Sequence, residues 1–385
     1  MRSAPAGARP AVGAVLATSA QQVVAHDLEY MGDALRDELA RLSGKNLLIT
    51  GGAGFLGYYL VQLALHWNRR SVERPVHVTV FDSYVRGMPA WLEALRGDPA
   101  LTLVRHDMTA ALPADIGDFH YIVHAASIAS PTYYRQRPIE TMDANVNGLR
   151  ALLEYARRQG QRGRPVEGFL FFSSSEIYGD PTPENIPTPE TYRGNVSCTG
   201  PRACYDEAKR YGETLCVNFA GHAGIPVRVA RPFNNYGPGL KITDRRVLPD
   251  FARDVLADRD IVMFSDGSPR RTFCYVADAV IGYYKILARG RPGEAYNIGV
   301  EEPELSIRDV AELVVAEARD LFGYQGRVVQ RAAPDGGYLL DNPTRRCPVI
   351  AKARAELGYG PSVSLRDGLR RSLIWYGEHR EAADA

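Results

Sequence analysis

A glycine-rich turn set between an apolar run and a helix is the feature that most restricts what this chain can fold into. The stretch Leu47-Leu-Ile-Thr-Gly-Gly-Ala-Gly-Phe-Leu-Gly57 puts Gly51, Gly54 and Gly57 directly after a predicted strand (46–50) and at the opening of a predicted helix (55–66). Glycine serves there in three ways: a tight turn, backbone approach to a pyrophosphate, and close packing of helix on strand. The helix start, with Phe55 and Leu56 in its first turn, aims unpaired amides at bound phosphates. Glycine also marks ordinary turns, so the context decides. The second predicted strand ends on Asp82, 25 residues past Gly57, where a carboxylate accepts both ribose hydroxyls and repels a ribose phosphate. NAD is therefore expected over NADP. Asp107, after the strand-like run 101–104, is a further candidate, for the adenine amine.

Short apolar runs at 46–50, 76–82, 121–125, 169–173 and 227–231 alternate with helical stretches. Strands apolar on both faces and separated by helices predict an α/β fold, a Rossmann-type doubly wound parallel sheet. After Phe233 the texture becomes turn-rich, with a helix near 248–257, which predicts a smaller C-terminal substrate-binding lobe closing the crevice at the strands' carboxyl ends. Ahead of the first strand, an Ala/Pro/Gly-rich tail leads to Leu28, Met31, Leu35, Leu39 and Leu42 at three- and four-residue steps, an amphipathic helix over 26–42 that packs on the body or on a partner subunit. The organisation expected is 1–43 as tail and helix, 44–232 as dinucleotide-binding domain, and 233–380 mainly as substrate lobe, partly interleaved with the first.

Charge excludes some partners. Lys plus Arg (46) nearly balances Asp plus Glu (45), leaving +1, so no global field draws the chain to nucleic acid or to a membrane surface. No apolar run approaches the roughly 20 residues that span a bilayer. The five cysteines are scattered, with neither CxxC spacing nor a paired-His motif, which fits reduced thiols in a soluble cytoplasmic protein and no metal site.

The segment Cys204-Tyr-Asp-Glu-Ala-Lys-Arg lies on a predicted helix, so Tyr205 and Lys209, four apart, share a face. A phenol of pKa about 10 is a poor base at neutral pH. A neighbouring ammonium favours the phenolate, and the pair can then remove a hydroxyl proton while hydride leaves the adjacent carbon; Lys209 can also hold the nicotinamide ribose. Three serines and Glu176 at the tip of the fourth apolar run (169–173) stand where the crevice should lie. Small residues at 124–131 let the backbone approach the cofactor, with Ser127 in reach of a sugar.

Together with the glycine loop, SSSEIYGDP at 173–181, GPRACYDEAKR at 200–210, VRVARPFNNYGPG at 227–239 and SPRRTFCYVADAV at 268–280 resemble the extended short-chain dehydrogenases/reductases. Within them the similarity is greatest to the UDP-glucuronate decarboxylases (UDP-xylose synthases), over residues 45–378. The resemblance implies a UDP-sugar substrate, oxidation at carbon 4 by NAD, loss of carbon dioxide from the 4-keto intermediate, and UDP-xylose or a 4-keto pentose as product. It implies Tyr205 as base, Lys209 lowering its pKa, Ser174 at the same oxygen, and Ser175 with Glu176 at the carboxylate end. Arg271 then faces pyrophosphate or carboxylate, Asn234, Arg246 and Arg345 line the nucleotide sugar, and Phe264 stacks on the base. Ser174 stands where the decarboxylases commonly have Thr. The alternatives are a nucleotide-sugar 4-epimerase, a 4,6-dehydratase, whose Asp is missing beside Glu176, or a non-catalytic NAD-binding regulator. A homodimer through helices near 142–157 and 205–222 is the family expectation.

Overall fold

The computed structural model describes residues 17–70, 73–332 and 343–379; most of the expected N-terminal tail lies outside them. Seven parallel strands form the main sheet: β1 (Asn46–Thr50), β2 (His77–Asp82), β3 (Leu101–Arg105), β4 (Tyr121–His124), β5 (Gly168–Phe172), β6 (Val227–Pro232) and β7 (Ala295–Ile298). Their order is β7-β6-β5-β4-β1-β2-β3. Leu47, Leu48 and Ile49 of β1 are all buried, because helices cover both faces of the sheet. In register, Thr50 stands beside Phe81 on one side and His124 on the other. The order reverses between β1 and β4, which opens a crevice at their carboxyl ends.

The helices that flank the sheet and the crevice include α1 (Ala20–Ala34), α2 (Arg36–Leu42), α3 (Phe55–Arg69), α4 (Pro131–Gln136), α5 (Pro138–Gln161), α6 (Ala203–Ala223), α7 (Val247–Leu256), α8 (Val276–Arg289) and α9 (Leu365–Glu378). The N-terminal segment differs from the single helix expected. It breaks at Leu35 (φ −120, ψ 19), without proline or glycine, and the break lets Leu35, Leu39 and Leu42 all bury. α1 packs against α3, α8 and α9. Its Asp27, fully buried, accepts Tyr59 Oη at 2.5 Å, Tyr275 Oη at 2.6 Å and Arg371 Nη1 at 2.7 Å. Three donors satisfy a carboxylate that desolvation would otherwise expel.

Beyond residue 233 the chain leaves the sheet, returns to it as α8 and β7, and leaves again. The outer part contains a small sheet in which Arg270–Arg271 pairs antiparallel with Leu305–Ser306 and parallel with Arg345–Arg346. The register sets Arg346 beside Arg271, so both side chains leave the same face.

Candidate active site

The turn after β1 tolerates no side chain at two places. Gly51 has φ +72, and a Cβ there would lie 2.6 Å from the Ala126 backbone N; a Cβ on Gly57 would lie 2.1 Å from the Gly52 carbonyl oxygen. Gly54 precedes α3 as its N-cap, with half-buried Phe55 and Leu56 in the first turn. Asp82 at the end of β2 accepts the amides of Ala53 at 3.0 Å and Tyr84 at 2.8 Å. Burial pushes its carboxyl up against these two bonds, and each oxygen keeps acceptor capacity for a ribose hydroxyl. A cradle closed to a Cβ at Gly51 and Gly57, ending at a helix N-terminus and flanked by an anchored carboxylate, fits a dinucleotide. Asp107 is exposed and caps its own turn, accepting Thr109 N and Oγ1, both at 2.9 Å; it lies beside His106, whose amide donates to the Asp82 carbonyl at 2.9 Å. Ser127, after β4, has a buried Oγ without a hydrogen-bond partner among the described residues.

At the tip of β5 the chain enters a short 3-10 turn, Ser175–Tyr178, capped by Ser174, whose Oγ accepts Glu176 N at 3.2 Å. Ser173 is committed elsewhere, donating to Glu213 Oε1 at 2.5 Å, and Ser175 is buried in the turn. α6 brings Tyr205 against Ser174, to which its hydroxyl is hydrogen-bonded. The Tyr205 ring stacks on Tyr134 of α4 with centroids 5.1 Å apart. Burial pushes Tyr205 up to about 12; the Ser174 bond opposes this and the Glu176 charge adds to it. Lys209, one turn on, donates to the Phe172 carbonyl at 2.7 Å and lies 5.6 Å from the Tyr205 ring centroid. Burial lowers Lys209 to about 7, with Cys216 opposing it weakly. The helical spacing thus places the pair together, while the expected tuning of phenol by ammonium is opposed by desolvation of both groups.

Glu176 is clamped between two arginines. Arg202 pairs with it from the start of α6, and Arg346 reaches it with both terminal nitrogens, one at 2.6 Å. Burial raises the Glu176 carboxyl, but the charges and hydrogen bonds of Arg202 and Arg346 outweigh it and hold it at about 2. Asp206 lies 3.7 Å from Arg202; burial, then the charge of Glu176, push it up to about 7. Arg271, donating to the carbonyls of Arg270 at 2.8 Å and Thr344 at 3.1 Å, is lowered to about 9 by burial and by Arg346. Tyr134, buried over this cluster, has a hydroxyl without a hydrogen-bond partner among the described residues.

The remaining candidates are spread around the rim. Asn234 (φ 43) donates to the Thr272 carbonyl at 2.9 Å. Arg246 lies 2.9 Å from Asp244 and 3.4 Å from the Ala129 carbonyl. Arg345 is engaged by Glu304 through two bonds of 2.9 and 2.6 Å. Phe264 is half-buried just past the short strand Ile261–Met263.

Residues 47–299 match the model of the NAD dependent epimerase/dehydratase family. UDP-glucuronic acid decarboxylase 5 of Arabidopsis thaliana is 36% identical over 337 residues, 87% of this chain and 90% of that protein. The chain belongs to this family. UDP-glucuronic acid decarboxylase 1 of Xenopus tropicalis is 34% identical over 343 residues, 89% of this chain and 75% of that protein. Among solved structures, the dTDP-glucose 4,6-dehydratase DesIV of Streptomyces venezuelae, with NAD and TYD bound, superimposes with a TM-score of 0.74 at 28% identity, over 87% of this chain and 98% of that one. As a member of the epimerase/dehydratase family the chain takes NAD as cofactor, and the cradle at β1 and β2 is built for it. Among the described residues no helix is long and apolar enough to cross a membrane.

Sequence reasoning passed over Arg202, Asp206 and Arg346. Arg202 and Asp206 lay within a quoted motif and, four apart, share one helix face beside Tyr205, a usable signal. Arg346 had none: it is distinguished from Arg345 only by strand register, which sets neighbouring side chains on opposite faces.

Proposed function

We propose that the chain decarboxylates UDP-glucuronate through a 4-keto intermediate, with UDP-xylose as product. The observation that carries this reading is the excess of cations at the β5 tip. Arg202 and Arg346 face one ionised carboxylate, Glu176, and one whose proton is lost only near pH 7, Asp206. Buried charge of one sign is costly unless matched, and a sugar carboxylate beside Tyr205 and Ser174 supplies the match. A neutral hexose does not.

Bound NAD supplies the hydride acceptor at carbon 4 and, after carbon 5 is protonated, the hydride that restores the alcohol. Tyr205 takes the carbon 4 hydroxyl proton, with Ser174 holding the same oxygen. Lys209 in its ammonium form, present below about 7, favours the phenolate. The resulting ketone is β to the carboxylate, so the electrons of the breaking carbon–carbon bond pass to the carbonyl oxygen as carbon dioxide leaves. Glu176, fixed by Arg202 and Arg346, orients the carboxylate end, with Ser175 behind it. Ser127, Asn234, Arg246, Phe264 and Arg271 line the nucleotide sugar, with Arg346 in the place expected of Arg345, which is turned to Glu304; Gly51, Gly54, Phe55, Leu56, Gly57, Asp82 and Asp107 line the cofactor. Exposed Ile139 and Met142 on α5 and Tyr211 and Val217 on α6 form the face a second copy covers in a homodimer.

The test is carbon dioxide release from UDP-glucuronate with mass spectrometry of the nucleotide product. UDP-xylose is expected, and Tyr205→Phe should keep NAD and release no carbon dioxide. Consumption of UDP-glucuronate without carbon dioxide, giving a product of unchanged mass, would replace decarboxylation with epimerisation.

A further inference from the structure

Asp244 joins two parts of the crevice that the reaction uses separately. It lies between the short strand Asn235–Tyr236 and α7 and is 4% exposed. Arg86, from the loop after β2, donates Nη1 to its Oδ1 at 2.8 Å, and Arg246 places Nε 2.9 Å from its Oδ2. One buried carboxylate therefore holds an arginine from the cofactor side and an arginine from the substrate side.

The surrounding bonds brace the same crossing. Lys241 Nζ donates to the Arg86 carbonyl at 2.6 Å, Ser130 Oγ to the Asp244 carbonyl at 2.8 Å, and Tyr133 Oη to the Thr243 carbonyl at 3.4 Å. The Arg86 guanidinium lies over the Tyr133 ring, 5.0 Å from its centroid. A Cβ on Gly239 would meet Tyr58 of α3 at 2.5 Å, so this segment runs against the first turns of the helix that opens at the glycine loop. Each partner loop also carries a non-glycine residue in the left-handed region, Tyr84 at φ 53 and Arg245 at φ 62. Such backbone persists where its surroundings over-determine it.

We infer that Asp244 is a positioning residue that couples retention of NAD to binding of the sugar nucleotide. Its pair with Arg86 straps residues 239–246 to the β2 loop across the cofactor cradle. Its pair with Arg246 aims that guanidinium at the nucleotide, and this half rests on the function proposed above. Truncating one partner of a buried ion pair exposes the loss, and the two halves separate by mutation.

The experiment uses the full chain and reads binding without turnover: NADH release, by fluorescence during a chase with excess NAD, and UDP affinity by calorimetry. Arg86→Met should speed NADH release about tenfold and leave UDP affinity within twofold. Asp244→Asn should speed release to the same degree and also weaken UDP about tenfold, with Asp244→Glu restoring part of both. The coupling is refuted if Asp244→Asn changes only one of the two readouts, or if Arg86→Met leaves NADH release unchanged. Because Arg86 is well exposed, its variant stays informative even where Asp244→Asn fails to fold. A wild-type protein that binds UDP yet releases no carbon dioxide from UDP-glucuronate sinks the proposed reaction alone.

Discussion

The turn after β1 and the tip of β5 face the same crevice but are limited by different physics. At β1 the limits are steric and mostly local: Gly57 and Asp82 act through backbone contacts inside one strand–helix–strand unit, and Gly51 against the Ala126 backbone after β4. At β5 they are electrostatic and distant: Glu176 is held by Arg202, 26 residues away, and Arg346, 170 residues away. The first end accepts a ligand whose phosphates need room and amides, the second one whose charge completes a buried network. A cofactor site can thus be built largely from a single stretch of chain, whereas selection of a substrate draws mainly on parts that meet only in the folded molecule.

If that contrast is right, the largest effect should come from the charged end. Glu176→Gln leaves Arg202 and Arg346 buried without their counter-charge, and breaking such a pair costs about 3–5 kcal/mol. Denaturant unfolding should show that loss at pH 7. The sign follows from the carboxyl, held at about 2 against an ordinary 4.5: its contribution is complete above 4.5 and is lost as pH falls toward 2. The gap between wild type and variant should narrow over that window; a constant gap would assign the loss to packing. Gly57→Ala should come next, at about 3 kcal/mol, the upper end for overpacking, since its Cβ meets a backbone carbonyl rather than a side chain that can move. That variant should lose NAD binding without any pH-dependent component. An equal loss of stability at all pH values in both variants would erase the distinction.

The same contrast explains what could be read from the chain alone. The strand alternation, the glycine spacing, Asp82 and the four-residue step from Tyr205 to Lys209 are short-range patterns, and periodicity carries them. The break at Leu35 is not: no residue there disfavours helix, and only the packing of α2 on α8 requires the turn. Arg345 was readable as a charged residue, but which of two adjacent arginines faces Glu176 depends on pairing with Arg270–Arg271, 75 residues earlier. Lys209 lies between these cases. Its place beside Tyr205 follows from helix geometry, whereas its protonation depends on what α6 buries it against.

Lys209 gives the smallest effect and the sharpest one, because its sign is opposite. Folding moves it from 10.5 to about 7 through burial, so the folded state disfavours the cation. The penalty is complete below about 7 and disappears as pH rises toward 10.5. Lys209→Met removes it while forfeiting one hydrogen bond to the Phe172 carbonyl, a net gain of about 1–3 kcal/mol at pH 7 after that loss. The variant should therefore unfold at higher denaturant than wild type while losing turnover, as expected where a strained group is kept for chemistry. The gain should shrink between pH 7 and 10. A variant that is less stable than wild type at pH 7 would mean that Lys209 is held by its surroundings as a structural cation, and the electrostatic account of the β5 end would then stop short of α6.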